Sequence, residues 1–258
     1  MKIVSSSQNP EIKNLLTLQK KSRERKKRKL FVVEGKKEIQ RALIGNYSFK
    51  IIFIREGASN IFIEFNESIS NFILIKDELF DKITIRSGSE KYIGIGVSKS
   101  HELKNLKINK EAIILVAESI EKPGNIGALL RTSSGLGISA FILTNPKTDI
   151  YHPNVIRSSM GGVFSIPIVV SNSDDIIRFF LKNNLNIISG ALTTNSVQMN
   201  KANYTKPCAI VVGSESKGLE KKWIENSSEI VKINMNNNID SLNVSVAAAI
   251  LLKHCIDN

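Results

Sequence analysis

The spacing of apolar positions changes character part-way along the chain. In the first part, short apolar runs alternate with amphipathic stretches. Asn9-Pro10-Glu11 has the form of a helix start, and Ile12, Leu15, Leu16 and Leu18 follow at helical spacing. Leu30-Phe31-Val32-Val33 predicts a short strand, and Gly35 then leads into a charged helix through Ile39 and Leu43. Further strands are expected at 50–55, 72–75 and 92–97. Apolar runs then stop, and the stretch 99–110 is largely polar, so a domain boundary is expected there. Beyond it the alternation is more regular. The run 112–117 is almost continuously apolar, as in a strand covered on both faces. A helix is predicted from about 125 to 136, with Ile126, Leu129, Leu130 and Ser133 on one face. Strands follow at 141–143, 166–170, 186–188, 209–212 and 230–233, with helices near 153–160, 173–183, 219–226 and 241–256. The expected fold class is therefore α/β. A smaller N-terminal α/β domain is placed at 1–104, and a larger domain with a mostly parallel sheet and helices on both sides at 105–258.

Composition adds few constraints and charge adds one. Hydrophobic residues make up 42% and aromatics only 6%, so the core is built mainly from aliphatic side chains. Cys208 and Cys255 are the two cysteines, which suggests neither a disulfide framework nor a zinc spacing; no metal is expected. The N-terminus lacks the apolar stretch of a signal peptide, and no apolar run reaches the length of a membrane span. A reduced, cytoplasmic protein is the expectation. Net charge is +12, and the excess is concentrated before residue 106, where 21 Lys and Arg face 12 Asp and Glu. It peaks at Lys20, Lys21, Arg23, Arg25, Lys26, Lys27, Arg28 and Lys29, eight basic residues in ten. In isolation such a run reads as a solvated helix face or loop. Within a basic domain it points to phosphate contacts and a nucleic-acid partner. Charge does not separate RNA from DNA or from an anionic membrane.

Three polar or Gly-rich segments occupy the places where an open parallel sheet binds ligands, beyond the carboxyl ends of its strands. The first is Glu121-Lys122-Pro123-Gly124-Asn125-Ile126-Gly127, which opens a helix carrying Arg131. Taken singly, Arg131 reads as a solvated arginine, Asn125 as an N-cap, and Gly135 and Gly137 as helix-end residues. The second is Gly213-Ser214-Glu215-Ser216-Lys217-Gly218-Leu219, after the strand ending at Val212. Its glycines would allow backbone to approach a flat ligand, and its spacing is neither a Walker A nor a dinucleotide fingerprint. The third is Ile233-Asn234-Met235, a polar loop over 236–240, and Ser241-Leu242-Asn243-Val244-Ser245-Val246-Ala247. A helix start this apolar should be buried in the core or at a subunit contact. Capping explains Ser241 but leaves Asn243 without a role.

In that order the three segments resemble the three motifs of the SpoU/TrmH family, the RNA 2′-O-ribose methyltransferases of the SPOUT class. Asn125, Gly127, Arg131 and Gly135 or Gly137 match the first motif; Gly213, Glu215 and Gly218 the second; Ile233, Met235 and Ser241 to Ala247 the third. Asn154 to Gly161, including Arg157, resembles a stretch between the first two motifs. Asn234 stands where the family has proline, which implies a looser loop. The likeness spans roughly 112–256, and the first part is more loosely similar to a ribosomal-protein-like substrate-binding domain.

The resemblance implies a trefoil-knotted C-terminal domain, a homodimer through that domain, and S-adenosylmethionine as cofactor. It implies Gly213, Ile233 and Leu242, with Val212, Gly218 and Met235, as the donor-binding residues. It further implies Arg131, Asn125, Glu215, Asn243 and Ser241 as the catalytic set. Arginine is effectively always protonated, so Arg131 is read as holding a phosphate and stabilising alkoxide character, oriented by Glu215 or Asn125. Arg157 and the basic run are the expected RNA contacts, ribosomal RNA being favoured over transfer RNA. Two alternatives stay open: a SPOUT enzyme methylating a base, and a non-catalytic RNA-binding or ribosome-assembly protein on a methyltransferase scaffold.

Overall fold

The computed structural model describes residues 3–58, 69, 71–85, 90–236 and 241–258. In chain order the first elements are β1 (Ile3–Val4), α1 (Pro10–Lys20), α2 (Ser22–Arg28), β2 (Leu30–Glu34), α3 (Lys36–Ile44), β3 (Phe49–Arg55), β4 (Phe72–Ile75), α4 (Asp77–Ile83) and β5 (Tyr92–Val97). They continue with β6 (Ile113–Glu118), α5 (Pro123–Leu136), β7 (Ala140–Thr144), α6 (Pro153–Ser158), β8 (Ile168–Ser171), α7 (Ser173–Lys182) and β9 (Asn186–Gly190). The last are β10 (Val197–Gln198), β11 (Cys208–Val212), α8 (Lys221–Glu225), β12 (Glu229–Lys232) and α9 (Val244–Asp257). Helix starts follow local chemistry: Pro10 and Pro123 fill first-turn positions where no N–H is needed, and Asn9 Oδ1 caps α1 by accepting from the Glu11 N–H at 2.9 Å.

Contacts divide the chain into two compact units. The first comprises 1–100 together with 149–165. Its mixed sheet runs β1-β4-β3-β5-β2, with β1, β4 and β3 parallel and β5 antiparallel to both β3 and β2. Ile12, Leu15 and Leu18 of α1 and Leu79, Phe80 and Ile83 of α4 close its core. The contiguous division at 104/105 does not describe this packing, because 149–165 belongs with the first unit. Tyr151 stacks on Phe31 with centroids 5.0 Å apart, and its hydroxyl donates to Tyr47 at 3.2 Å. Arg25 and Asp149 form an ion pair at 2.6 Å, and the Arg41 guanidinium donates to the Met160 carbonyl.

The second unit is 101–148 and 166–258. Its seven described strands run β10-β12-β9-β11-β6-β7-β8, and every pairing among them is parallel. Strands β6, β7 and β11 are buried throughout, which is why their sequences are continuous apolar runs rather than alternating ones. Strand β8 starts at Ile168 and not at 166, since Pro167 has no N–H for a ladder. The short helix α4 and the two-residue strands β1 and β10 went unpredicted; none is long enough to show a period. Among the described residues no helix is long and apolar enough to cross a membrane, and no group of His, Cys, Asp or Glu could hold a metal ion.

Candidate active site

Strands β9, β11 and β12 end on the same side of the parallel sheet, and a cavity of about 410 Å³ opens there. All six expected donor-binding residues line it: Val212, Gly213, Gly218, Ile233, Met235 and Leu242. Glu215 and Ser241 of the expected catalytic set line it too. The sequence reading missed Gly190 at the end of β9, Ala191, Leu192 and Thr193 just after it, and Leu251 of α9. The only advance signal for the first four was their position just past a predicted strand end. Asn234 is exposed and outside the lining, while its neighbours Ile233 and Met235 are in it. Of the polar loop expected over 236–240, residues 237–240 lie outside the described residues.

The glycines of the second motif serve the turn itself. A Cβ on Gly213 would lie 2.3 Å from the carbonyl carbon and oxygen of Gly218. Gly218 has φ +65°, and its N–H donates to the Ser214 carbonyl at 2.9 Å. The loop therefore closes on itself, and the close approach of backbone to backbone requires glycine at Gly213.

This turn presents Glu215, and three segments far apart in sequence converge on its carboxylate. Oε1 accepts from Asn125 Nδ2 and from Asn243 Nδ2, each at 2.9 Å; Oε2 pairs with Lys122 Nζ at 2.9 Å. Asn243 Nδ2 also lies 3.3 Å from Asn125 Oδ1. The Lys122 ammonium, helped by Asn125, holds the Glu215 carboxyl below its ordinary pKa. The carboxylate is thus ionised, with both oxygens engaged, which suits it to orient neighbours and not to abstract a proton.

Two capping expectations change. Helix α9 begins at Val244, and its cap is Asn243, whose Oδ1 accepts from the Ser245 N–H at 3.0 Å; Ser241 is not the cap. Asn125 is not a cap either. Lys122 holds that position and Asn125 sits in the first turn, which frees its side chain to reach Glu215. Gly137 ends α5 in the left-handed region, as a helix-end glycine should.

Arg131 is exposed on α5 and makes no hydrogen bond or ion pair among the described residues. It is six residues beyond Asn125, so roughly 120° round and about 9 Å along the helix. Neither Glu215 nor Asn125 orients it, because those two are bound to each other and to Asn243 and Lys122.

The basic run forms α2 and its flanks. Lys20, Lys21, Arg23, Lys26, Lys27, Arg28 and Lys29 are exposed, as is Arg157 on α6. Arg28 donates to Glu24 at 2.9 Å and to Asn14 at 2.7 Å. Arg25 does not belong with the RNA contacts. It is 2% exposed, its Nε is bound to Asp149, and its Nη1 donates to the carbonyls of Leu18 and Gln19 at 2.7 and 3.1 Å.

The model of the SpoU rRNA methylase family matches residues 112–253, more than half of the chain. The chain belongs to the SpoU rRNA methylase family. This is a family of S-adenosylmethionine-dependent RNA 2′-O-ribose methyltransferases. Residues 9–94 match an MRM3-like substrate binding domain. The 23S rRNA (guanosine(2553)-2′-O)-methyltransferase RlmP of Bacillus subtilis is 25% identical over 98% of this chain and 99% of its own. A crystal structure of an RNA 2′-O ribose methyltransferase is 31% identical, covers 99% and 98% of the two chains and superposes with a TM-score of 0.85. The AdoMet-bound rRNA methyltransferase of Sinorhizobium meliloti shares the fold, with a TM-score of 0.91 at 24% identity over 99% and 97% of the chains. SpoU membership accounts for the parallel sheet and for the order of the three motifs.

Proposed function

We propose that this SpoU-family chain methylates a ribose 2′-hydroxyl in ribosomal RNA, with S-adenosylmethionine bound in the cavity beyond β9, β11 and β12. The observation that carries this reading is the convergence of Asn125, Asn243 and Lys122 on Glu215, a residue of the cavity lining. The cavity fits such a donor. Its volume is in the range of cofactor sites, its walls are mostly aliphatic, and its lining includes Gly213, Ile233 and Leu242. S-adenosylmethionine supplies a methyl group on a sulfonium, already activated for displacement. The chain's own residues then have to align and neutralise. Asn125, Glu215 and Asn243 form a largely exposed, mutually bonded polar cluster, with Glu215 at the cavity lining, that positions a ribose. Arg131, with its guanidinium unengaged, takes the adjacent phosphate and stabilises developing negative charge on the attacking oxygen. The exposed basic residues of α2, with Arg157, hold the rest of the RNA.

Ribosomal RNA is favoured over transfer RNA by the attached basic unit and by the rRNA named for the Bacillus subtilis relative. A homodimer through the second unit, and a knotted threading of its C-terminal segment, complete the reading. Helix α9 supports the dimer: Val246 is 47% exposed within the mostly aliphatic stretch Val244 to Leu252. The test is Arg131→Ala. Transfer of tritiated methyl to RNA should be abolished while calorimetry shows S-adenosylmethionine binding largely intact. Near-normal turnover would sink the assignment.

A further inference from the structure

The second-motif loop is fastened from outside the cavity by a residue that belongs to none of the three motifs. Glu118, the last residue of β6, is 1% exposed. Its Oε1 accepts from Ser173 Oγ at 2.9 Å and from Trp223 Nε1 at 2.8 Å. Its Oε2 accepts from the Glu220 backbone N–H at 2.8 Å. Three elements meet on this one carboxylate: the strand that feeds the first motif, the start of α7, and the turn by which the chain leaves the second motif. No cation pairs with it among the described residues. Burial pushes its pKa up, and the bonds from Glu220, Ser173 and Trp223 work against that shift.

A buried carboxylate without a counterion is costly, and an apolar residue of similar size would fill the space at less expense. What an apolar residue lacks is an acceptor for the Glu220 N–H and the Trp223 indole. Those two donors sit beside the cavity: Leu219, which precedes Glu220, and Ile224, which follows Trp223, both line it. Trp223, the only tryptophan, is fully buried.

We propose that Glu118 is a positioning residue for S-adenosylmethionine: by holding the Glu220 N–H and the Trp223 indole, it fixes Leu219, Ile224 and the preceding Gly213–Gly218 turn in the shape that binds the donor. This rests on the reading that the donor occupies the cavity. Glu118→Gln is the informative variant. The glutamine oxygen still serves Ser173 and Trp223, but its amide then faces the Glu220 N–H, donor against donor.

The full-length variant should fold and melt cooperatively. Its calorimetric Kd for S-adenosylmethionine should rise about tenfold, as expected for loss of a hydrogen bond to a charged group. KM for the donor should rise in parallel, with kcat at saturating donor nearly unchanged and RNA affinity unaffected. The change in Trp223 fluorescence on adding donor should shift to correspondingly higher concentration. An unchanged donor Kd in the folded variant overturns the proposal, as does an equal fall in kcat and RNA binding. Hydrogen exchange in the wild-type protein decides the matter independently of the variant's folding. The Glu220 amide should exchange slowly, and more slowly with donor bound; fast exchange indifferent to donor overturns the proposal. Gly213→Ala separates this claim from the one beneath it. If that variant binds donor normally, the cavity reading falls; if it loses donor and Glu118→Gln does not, only the role of Glu118 falls.

Discussion

Asn243 does two things with one side chain. Its oxygen caps α9 and its amide nitrogen bonds Glu215 and Asn125. Asn243→Ala should therefore cost about 1 kcal/mol of stability, the usual size of a lost cap. Methyl transfer should fall by far more than that loss explains. Asn243→Asp separates the two roles: it retains the cap but sets a second carboxylate against Glu215. Thermal melts alongside transfer rates would show stability recovered and activity not. The Lys122–Glu215 pair makes a pH prediction. Because the folded-state pKa of Glu215 is depressed, its contribution is present above the ordinary carboxylate pKa and is lost as pH falls through the lower, folded value. The pair is largely exposed, so the effect on stability is small. In Lys122→Ala the carboxyl should titrate at higher pH, and NMR of the Glu215 side-chain carbon would read the shift. At this scale sequence picked out candidate residues and not what they touch. Asn125, Glu215 and Asn243 stood out, yet each capping role went to a neighbour: to Lys122 and not Asn125, and to Asn243 and not Ser241. The first turns of α5 and α9 admit either assignment until tertiary contacts choose one. Glu118 could not be read at all, since a carboxylate at the end of an apolar strand looks like the start of a loop.

Helix α2 shows how one charged run divides into different jobs. Arg25 faces inward to Asp149, whose side chain is 6% exposed, and its neighbours face solvent. Arg25→Ala leaves that carboxylate buried without its partner and should cost about 3–5 kcal/mol. The double variant Lys26→Glu, Lys27→Glu should leave stability within about 0.5 kcal/mol. It should weaken RNA binding and flatten the salt dependence, because fewer phosphates are neutralised. Denaturation and RNA titrations at several salt concentrations would check both. The sequence could not single out Arg25, because Asp149 is more than a hundred residues away and no local period links them. Long elements were legible for the opposite reason: β6, β11 and α5 carry their burial pattern in consecutive residues, whereas α4 and β10 are too short to have one.

The parallel sheet and the position of the cavity at its carboxyl edge followed from strand–helix alternation. The packing of 149–165 with the first unit did not, because it depends on Phe31, Tyr47 and Tyr151 meeting across the sequence. The proposed dimer belongs to this scale. Sedimentation should give twice the 28.6 kDa chain mass, and Val246→Lys should shift the protein toward monomer. The central claim, methyl transfer to a ribose hydroxyl, is tested most directly by the product. RNA incubated with the protein and S-adenosylmethionine would be digested to nucleosides and analysed by mass spectrometry. The account predicts a 2′-O-methylated nucleoside that is absent with Arg131→Ala. A methyl group on the base, or no methylated nucleoside from ribosomal or transfer RNA, would contradict it.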